Sequence, residues 1–395
     1  MEQLTKPDIS YIINELGEER ENYFNAIAPP IIQTSNFAFP KVSDLRKAFE
    51  DEYSTFLYSR GLNPTVDILR KKLAALDGAE DCLVFNSGSA AIFAAVLANV
   101  KSGDHIVSVD KPYTWAQKMF DEILPRFNIS VTYVDGRDIT NFERAILPNT
   151  TIIYLESPNS WSFAIQDLKA VAELARSEKI ISICDNSYCT PIYQRPIEMG
   201  IDLVLQSGTK YISGHSDVVA GVLSGTGAMI KKIFNSEYLN IGSGIQPFNA
   251  WLLIRGLRTL PARLERITNS TQVILNFLQH NPQVESVIFP LDPLFPQFAL
   301  ASEQMSGACG LLTFILKADT VNQIETFCNS LNHVFMAVSW GGHESLIIPK
   351  CSSIKQEEFN ASNIEHRMLR LYIGLEEPEY LIKDIQQALN TAFTA

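Results

Sequence analysis

Short apolar runs rich in β-branched residues alternate with stretches of helical spacing through the middle of the chain. Strands buried on both faces have this continuous apolar composition, whereas strands with one solvent-exposed face alternate apolar and polar residues. Helical connections between successive strands favour parallel neighbours. The sequence therefore predicts an α/β fold with a mostly parallel central sheet and helices on both faces. The predicted strands are "CLVF", "HIVSVD", "SVTYVD", "TIIYLES", "IISICD" and "DLVLQS".

Changes in this pattern divide the 395 residues into three predicted parts. Residues 1–57 include the proline-rich stretch "APPIIQTSNFAFP" and are predicted to form an extended N-terminal arm. Residues 58–245 contain the alternating pattern and form the predicted large domain. A long helical stretch, "PFNAWLLIRGLRTLPARLERIT", opens residues 246–395, where mixed strands and helices predict a smaller C-terminal α+β domain.

The charge balance argues against a surface that binds polyanions. The chain has 32 Lys and Arg residues against 44 Asp and Glu residues, a net charge of −12, whereas nucleic acids and anionic membranes attract basic surfaces. No apolar run is long enough to span a bilayer, and the N-terminal residues do not have the pattern of a signal peptide. We therefore expect a cytoplasmic protein that binds neither nucleic acid nor membrane.

The cysteines and histidines show no metal-binding pattern. The cysteines form no CxxC pair and no zinc spacing, and the histidines lack an HExxH-like motif. We expect reduced, buried thiols and no metal site. The cysteines are Cys82, Cys184, Cys189, Cys309, Cys328 and Cys351.

Polar residues follow several of the predicted strands. Ligands of open α/β sheets bind beyond the carboxyl ends of the strands. Each of these residues is a weak signal alone, but together they predict one site at that edge. They are Ser87–Ser89, Tyr113, Glu156, Asp185 and Ser207–Lys210.

Lys210 is unusual because it follows the apolar run "IDLVLQ" at the end of a predicted buried strand. Lysine side chains are normally solvated at the surface. Pyridoxal phosphate (PLP) requires such a lysine, which forms a Schiff base with its aldehyde, and a carboxylate beside its pyridine nitrogen. Asp185, which ends "IISICD", is the candidate carboxylate. A turn or capping role is the alternative for this aspartate.

Small and hydroxyl-bearing residues are candidates for binding the cofactor phosphate. "NSGSAAIF" places Ser87, Gly88 and Ser89 before a predicted helix, where free N–H groups and the helix dipole favour an anion. Ser207 and Thr209 add two hydroxyl groups beside the lysine. Plain helix capping is the alternative for the first group.

Motifs over nearly the whole chain resemble the Cys/Met-metabolism PLP enzyme family. That family includes cystathionine γ-synthase, cystathionine β- and γ-lyases, methionine γ-lyase and the acylhomoserine sulfhydrylases. The resemblance implies the fold type I of PLP-dependent transferases, with residues 58–245 as the PLP-binding domain. The motifs are "YSRGLNPT", "SGSAAI", "DKPY", "LESP", "DNSY", "SGTKYISGHSD", "RGLRTLPARL", "SWGGHESL" and "RLYIGLE".

The resemblance implies roles for residues within these motifs. Lys210 matches the Schiff-base lysine, and Tyr113 matches a tyrosine that stacks on the cofactor ring and assists proton transfer. Arg370 matches the arginine that binds the substrate α-carboxylate. Ser339 and Trp340 lie in the loop that contacts lysine and substrate. The implied chemistry begins when the freed lysine amine removes the substrate Cα proton.

The resemblance also implies an active site shared between subunits. Tyr58 and Arg60 match residues that reach the phosphate bound by a neighbouring subunit, where a guanidinium can form a bidentate pair. Family members are typically homotetramers, dimers of dimers, so residues 1–57 are expected to contribute to subunit contacts. Glu156 matches an acid behind the cofactor, and His215 and Asp217 are expected to shape the lysine loop.

Several positions depart from the common family pattern. Ser89 stands where many members have Met, and Ser160 and Trp161 replace Asn and Pro in "ESPNSW". Either Ser160 or Asn159 is therefore the candidate partner of the cofactor ring oxygen. Ser160 and Trp340 resemble bacterial cystathionine β-lyases, whereas "YSRGLNPT" resembles the γ-synthase and γ-lyase branch.

The sequence thus predicts a PLP-dependent C–S lyase that cleaves cystathionine or a related small sulfur-containing amino acid by Schiff-base elimination. The alternative is γ-replacement by a cystathionine γ-synthase or O-acylhomoserine sulfhydrylase. Methionine γ-lyase ranks lower, because Thr114, Trp115 and Ala116 follow Tyr113 without a cysteine. An aminotransferase or a catalytically inactive binding homologue ranks lowest.

Overall fold

The computed structural model describes residues 8–393. A seven-stranded sheet contains, in chain order, β1 (Asp81–Phe85), β2 (His105–Val109), β3 (Ser130–Val134), β4 (Thr150–Glu156), β5 (Ile181–Asp185), β6 (Leu203–Ser207) and β7 (Gly221–Gly225). They lie side by side in the order β1, β7, β6, β5, β4, β2, β3. Strands from β6 to β3 run parallel, and β7 is antiparallel to β1 and β6. The mostly parallel sheet is confirmed, and the sequence analysis missed β7.

Helices cover both faces of this sheet, as predicted. The helices of this part of the chain are α1 (Ile9–Asn14), α2 (Val42–Glu50), α3 (Pro64–Asp77), α4 (Gly88–Leu97), α5 (Thr114–Lys118), α6 (Ile139–Ala145), α7 (Leu168–Glu178), α8 (Thr190–Tyr193), α9 (Gly227–Ile233) and α10 (Leu239–Ile241). Alternate side chains of a strand point to opposite faces. Ile152 and Tyr154 of β4 accordingly join a cluster with α4, α5 and α9, whereas Ile153 and Leu155 join another with α6 and α7.

The predicted helix "TWAQKMFDEILPRF" is divided into three pieces. After α5 the chain makes a π-helical turn over Met119–Ile123 and a 3₁₀ turn over Leu124–Phe127. Pro125 has no N–H group and cannot continue the hydrogen-bond series of an α-helix. The helix therefore changes its winding ahead of this proline.

The C-terminal part contains a second, five-stranded sheet. The long helix α11 (Pro247–Gln279) leads into it, followed by β8 (Val284–Ile288), α12 (Phe298–Gln304), β9 (Leu311–Leu316), α13 (Val321–Asn329), β10 (Phe335–Met336), β11 (Leu346–Pro349), β12 (Met368–Tyr372) and α14 (Pro378–Phe393). The strand order is β10, β11, β12, β9, β8, and only β10 and β11 are parallel to each other.

A buried ion cluster holds the start of the chain against α3 and α11. Lys72 of α3 is fully buried, and its ammonium donates to the carbonyl oxygens of Ile12 (3.0 Å) and Ile13 (3.2 Å) in α1. The same ammonium lies 3.1 Å from the buried Glu18 carboxylate, which also pairs with Arg258 of α11 at 3.0 Å. Part of the predicted arm therefore packs on its own chain; its first seven residues lie outside the described ones.

Lys72→Ala is expected to lower the free energy of unfolding by about 3 kcal/mol, because Glu18 stays buried with one partner fewer. Lys71→Ala is the matched control, since Lys71 forms only a half-exposed ion pair with Asp67 at 3.0 Å. That control should lose less than about 0.5 kcal/mol. Chemical denaturation of both variants measures the difference. Equal losses would contradict a special role for the buried pair.

Candidate active site

Lys210 lies in the turn that follows β6, and a loop from the second sheet closes over it. The Lys210 ammonium donates to the Ser339 hydroxyl at 2.5 Å. Ser339 and Gly341 both have left-handed backbone angles, with φ of 79° and 92°. A Cβ at Gly341 would lie 2.8 Å from the Lys210 Cα, a distance that no side chain tolerates. Glycine at this position therefore lets the two parts of the chain meet at the lysine.

The surroundings of Lys210 favour its neutral amine. Removal of water lowers the pKa of Lys210 to about 8, assisted by the charge of Arg370 and opposed by that of Asp185. Within residues 8–393 the ammonium forms no salt bridge, and its other close contact is the Trp340 ring, 5.2 Å away. A pKa near 8 makes the free amine accessible at neutral pH, as proton transfer requires.

Asp185 provides a buried negative charge at the end of β5. One of its oxygens accepts a hydrogen bond from the Ser187 backbone N–H at 2.9 Å. The Ser187 hydroxyl in turn accepts from the Ser207 N–H at 2.7 Å, which links the carboxylate to the lysine turn. Burial raises the pKa of Asp185. No cation of the described residues forms a salt bridge with this carboxylate. A positively charged ring nitrogen would supply the missing ion-pair partner.

The first turn of α4 lies beside the end of β6. Ser87 is the N-cap, and its hydroxyl accepts from the Ala90 N–H at 3.1 Å. A Cβ at Gly88 would lie 3.4 Å from the Ser207 Cβ, so these two predicted phosphate contacts are neighbours. The first N–H groups of a helix have no acceptor within it. Those of Gly88 and Ser89 are therefore suited to a phosphate.

The hydroxyl of Thr209, a predicted phosphate donor, already forms two hydrogen bonds within the protein. It donates to the Ala220 carbonyl at 3.3 Å and accepts from the Ala220 N–H at 3.0 Å. Donation to a phosphate would require this hydroxyl to release the carbonyl. The Thr209 assignment stays a prediction.

Glu156 joins the loop that carries Tyr113 to the loop after β4. Its carboxylate accepts from the Tyr113 N–H at 2.5 Å and from the Ser160 N–H at 2.8 Å. Burial and the nearby Asp185 charge raise the pKa of Glu156 to about 7. The Tyr113 hydroxyl interacts with Ser89, and burial raises the pKa of this phenol. Tyr113 therefore keeps its proton and lies beside the predicted phosphate site.

The two candidates for the cofactor ring oxygen differ in their contacts. The Asn159 side-chain amide donates to the carbonyl oxygens of Asp110 (3.3 Å) and Lys111 (3.2 Å). Ser160 contacts the Glu156 carboxylate through its backbone N–H at 2.8 Å, and its hydroxyl interacts with the same carboxylate. Both side chains are thus engaged by protein groups, and the choice between them stays a prediction.

Arg370 projects from β12 into a site from which water is largely removed. Desolvation lowers the pKa of this guanidinium to about 10, although the Glu156 charge opposes the change. Arg370 has no salt bridge within the described part of the chain, and its guanidinium carbon lies 5.2 Å from the Trp161 ring centroid. The unpaired guanidinium is suited to a substrate carboxylate.

Tyr58 and Arg60 lie at a separate cavity of about 320 Å³ whose lining does not include Lys210. Both side chains are exposed, and the Arg60 guanidinium lies 5.4 Å from the Tyr58 ring centroid. Gly242 and Gln246 also line this cavity. No hydrogen bond, salt bridge or cation–π contact among the described residues joins Tyr58 or Arg60 to Lys210.

Arg263 is a supporting residue that the sequence analysis did not identify, although it lies within "RGLRTLPARL". Its buried guanidinium donates to the carbonyl oxygens of Tyr211 and Gly256, each at 2.8 Å. A Cβ at Gly214 would lie 1.9 Å from Arg263 Nη1. The arginine therefore holds the backbone directly after Lys210. No local pattern distinguishes such an arginine from one on the surface.

The described residues contain neither a metal-binding cluster nor a helix able to cross a membrane. Among residues 8–393, no group of three or more His, Cys, Asp or Glu side chains is arranged to hold a metal ion. No helix in the same range is both long and apolar enough to cross a bilayer. All six cysteines are buried free thiols.

The residues around Lys210 fit pyridoxal phosphate. Asp185, Lys210 and Arg370 are charged groups without ion-pair partners in the described structure. Charges removed from water are costly unless they are paired. The aspartate suits the ring nitrogen, the lysine suits the aldehyde, and the start of α4 suits the phosphate.

Two enzymes of known name are similar to nearly the whole chain. L-methionine gamma-lyase from Treponema denticola is 37% identical over 377 residues, which cover 94% of each chain. Cystathionine gamma-lyase from Homo sapiens is 33% identical over 383 residues, which cover 95% of this chain and 92% of that one.

A solved structure and a family model extend these similarities. A putative O-acetylhomoserine (thiol)-lyase from Campylobacter jejuni, solved with a pyridoxyl-lysine phosphate, has a TM-score of 0.91 and 27% identity. The match covers 97% of this chain and all of that one. The model for Cys/Met metabolism PLP-dependent enzymes matches residues 11–390. The cofactor is pyridoxal phosphate, and the chain belongs to the Cys/Met metabolism PLP-dependent enzyme family.

Proposed function

We propose that the protein is a PLP-dependent C–S lyase that cleaves cystathionine or a related thioether amino acid by elimination. The observation that carries this proposal is the Lys210 amine, which contacts Ser339 and whose pKa of about 8 reflects burial and the charges of Arg370 and Asp185, two groups without salt-bridge partners among the described residues. Bound PLP supplies an electron sink for the carbon that carries the amino group.

Residues of this chain supply the remaining functions of a lyase. Arg370 binds the α-carboxylate, and Lys210 removes the Cα proton while Ser339 holds its amine. For a leaving group on Cγ, Lys210 also moves a proton from Cβ. The Tyr113 phenol retains its proton because its pKa is raised, so it can protonate the departing sulfur. Glu156 positions Tyr113 through the backbone.

The relatives support elimination at Cγ. They include methionine gamma-lyases from Treponema denticola and Porphyromonas gingivalis, both 37% identical, and mammalian cystathionine gamma-lyases. Methionine therefore becomes a substrate to test, although no cysteine follows Tyr113. Trp340, at 5.2 Å from the lysine ammonium, and Ser160 support β-elimination as the second candidate.

We further propose a cytoplasmic homotetramer in which Tyr58 and Arg60 serve the phosphate of a neighbouring subunit. The cavity that these two residues line supports this proposal, because its lining does not include Lys210. Phe24 and Ile27 are 99% and 76% exposed in the single chain. Large apolar side chains exposed in this way are typical of surfaces that a partner subunit covers. Six buried thiols suit a reducing compartment.

Incubation of the PLP-loaded enzyme with L-cystathionine alone tests the reaction class. We expect cysteine, ammonia and 2-oxobutyrate, the products of elimination at Cγ. Pyruvate with homocysteine would instead establish β-elimination and make Trp340 and Ser160 the better guides. L-methionine, run in parallel, should also yield 2-oxobutyrate. If neither thioether reacts but an O-acylhomoserine and a thiol do, the lyase proposal is wrong and γ-replacement is correct.

The rate at which the apoenzyme binds PLP should increase as the pH rises and should level off above about pH 8. The neutral Lys210 amine binds the aldehyde, and its folded pKa of about 8 means that it is protonated below that pH. An ordinary lysine would continue to gain rate up to about pH 10. Arg370→Leu should move the midpoint upward, because a neighbouring positive charge is lost. An unchanged midpoint would contradict the electrostatic coupling.

Mixed subunits test the shared site. Arg60→Ala and Lys210→Ala chains should each be nearly inactive, but co-expression should restore about a quarter of the wild-type activity. Half of the random pairs are mixed, and each mixed pair has one site with both an intact lysine and an intact arginine. If Arg60 served its own chain, no mixed pair would contain an intact site. Absence of recovery in proven heterodimers would therefore contradict sharing.

A further inference from the structure

Trp161 adopts a backbone conformation that its side chain does not favour. Its φ of 65° lies in the left-handed region, where bulky residues are uncommon. This conformation brings the indole close to two cations. The Arg370 guanidinium carbon and the Lys350 ammonium each lie 5.2 Å from the ring centroid. Both distances allow a cation–π interaction.

A chain of ion pairs holds the indole in this place. Lys350 lies 2.9 Å from one Glu365 oxygen, and Lys111 lies 2.6 Å from the other. The Lys111 carbonyl accepts from Asn159, two residues before Trp161. These contacts join the second sheet to the loops after β2 and β4. The indole therefore has a supported position that does not depend on substrate.

An aromatic face suits an arginine that must remain free for a ligand. A carboxylate partner would occupy the N–H groups of Arg370 and neutralise its charge. The Trp161 face restrains the guanidinium plane and leaves the N–H edges available. Trp161 also lines a cleft of about 410 Å³ whose lining does not include Arg370. A smaller side chain at this position would extend the cleft towards the guanidinium.

We propose that Trp161 is the positioning residue for Arg370, holding the guanidinium in the orientation that binds the substrate α-carboxylate. This inference rests on the proposed function, in which Arg370 takes that carboxylate. Trp161 ends the stretch "ESPNSW" and directly follows Ser160. It acts through Arg370 and touches no reacting atom.

A pair of ligands that differ by one carboxylate separates positioning from general damage. L-Norleucine has no sulfur to eliminate, and pentylamine is the same molecule without the carboxylate. Binding of each to the holoenzyme is followed by the absorbance of the bound cofactor. The dissociation constant of pentylamine divided by that of L-norleucine measures how much the carboxylate contributes to binding.

Trp161→Leu should reduce this ratio about tenfold, because a cation–π contact and its exclusion of water are lost. Trp161→Phe, which keeps an aromatic face, should stay within about threefold of the wild type. Trp115→Leu is the matched control, since Trp115 contacts a different cation, Lys118, at 4.9 Å. That control should leave the ratio unchanged. Arg370→Lys removes the guanidinium itself, so the decrease of the ratio in that variant is the reference for a lost carboxylate contact.

The outcomes distinguish this inference from the proposed function. If Arg370→Lys reduces the ratio but Trp161→Leu does not, positioning by Trp161 is wrong and the carboxylate role of Arg370 stands. If neither variant changes the ratio, Arg370 does not bind the carboxylate and both assignments fall. If Trp161→Leu weakens both ligands equally, its role is only structural. Retained cofactor absorbance in Trp161→Phe keeps the test valid should Trp161→Leu fail to fold.

Discussion

The contact between Lys210 and the loop at Ser339 is the interaction on which the active site depends. It joins the carboxyl end of β6 in the first sheet to a loop of the second, and it places the amine at the meeting point of both. Gly341 makes the contact possible, because any side chain there would overlap the Lys210 backbone. Arg370 reaches the same place from β12. The second sheet therefore supplies the groups proposed to bind substrate, and the first supplies those that fit the cofactor.

The electrostatics of the site follow from burial without pairing. Two carboxylates, Glu156 and Asp185, end neighbouring parallel strands and lie opposite each other in the β4–β5 register. Burial raises the pKa of both, whereas it lowers the pKa of Lys210 and Arg370. A protein that needed only stability would pair these charges with each other. Their separation leaves room for a ligand that carries complementary charges, as PLP with an amino acid does.

Features with a local cause were predictable from the sequence. Apolar strands, their helical covers and the serine at the start of α4 follow from residue types and their spacing. The missed strand β7 is the run "GVLSG". Its two glycines have a low preference for strands, so the sequence pattern does not predict one here. It is nevertheless held between β1 and β6, because both neighbours offer a complete set of backbone partners. Tertiary pairing there outweighs a weak local preference.

The sequence by itself determined the fold class, the cofactor and the family, because these depend on periodicity and on short motifs that are contiguous in the chain. The tertiary structure alone decided that Trp161 faces Arg370, that Arg263 holds the carbonyl of Tyr211, and that Tyr58 and Arg60 line a cavity whose lining does not include Lys210. These relations join residues far apart in sequence. They depend on distances of a few ångströms between elements whose packing no local pattern encodes.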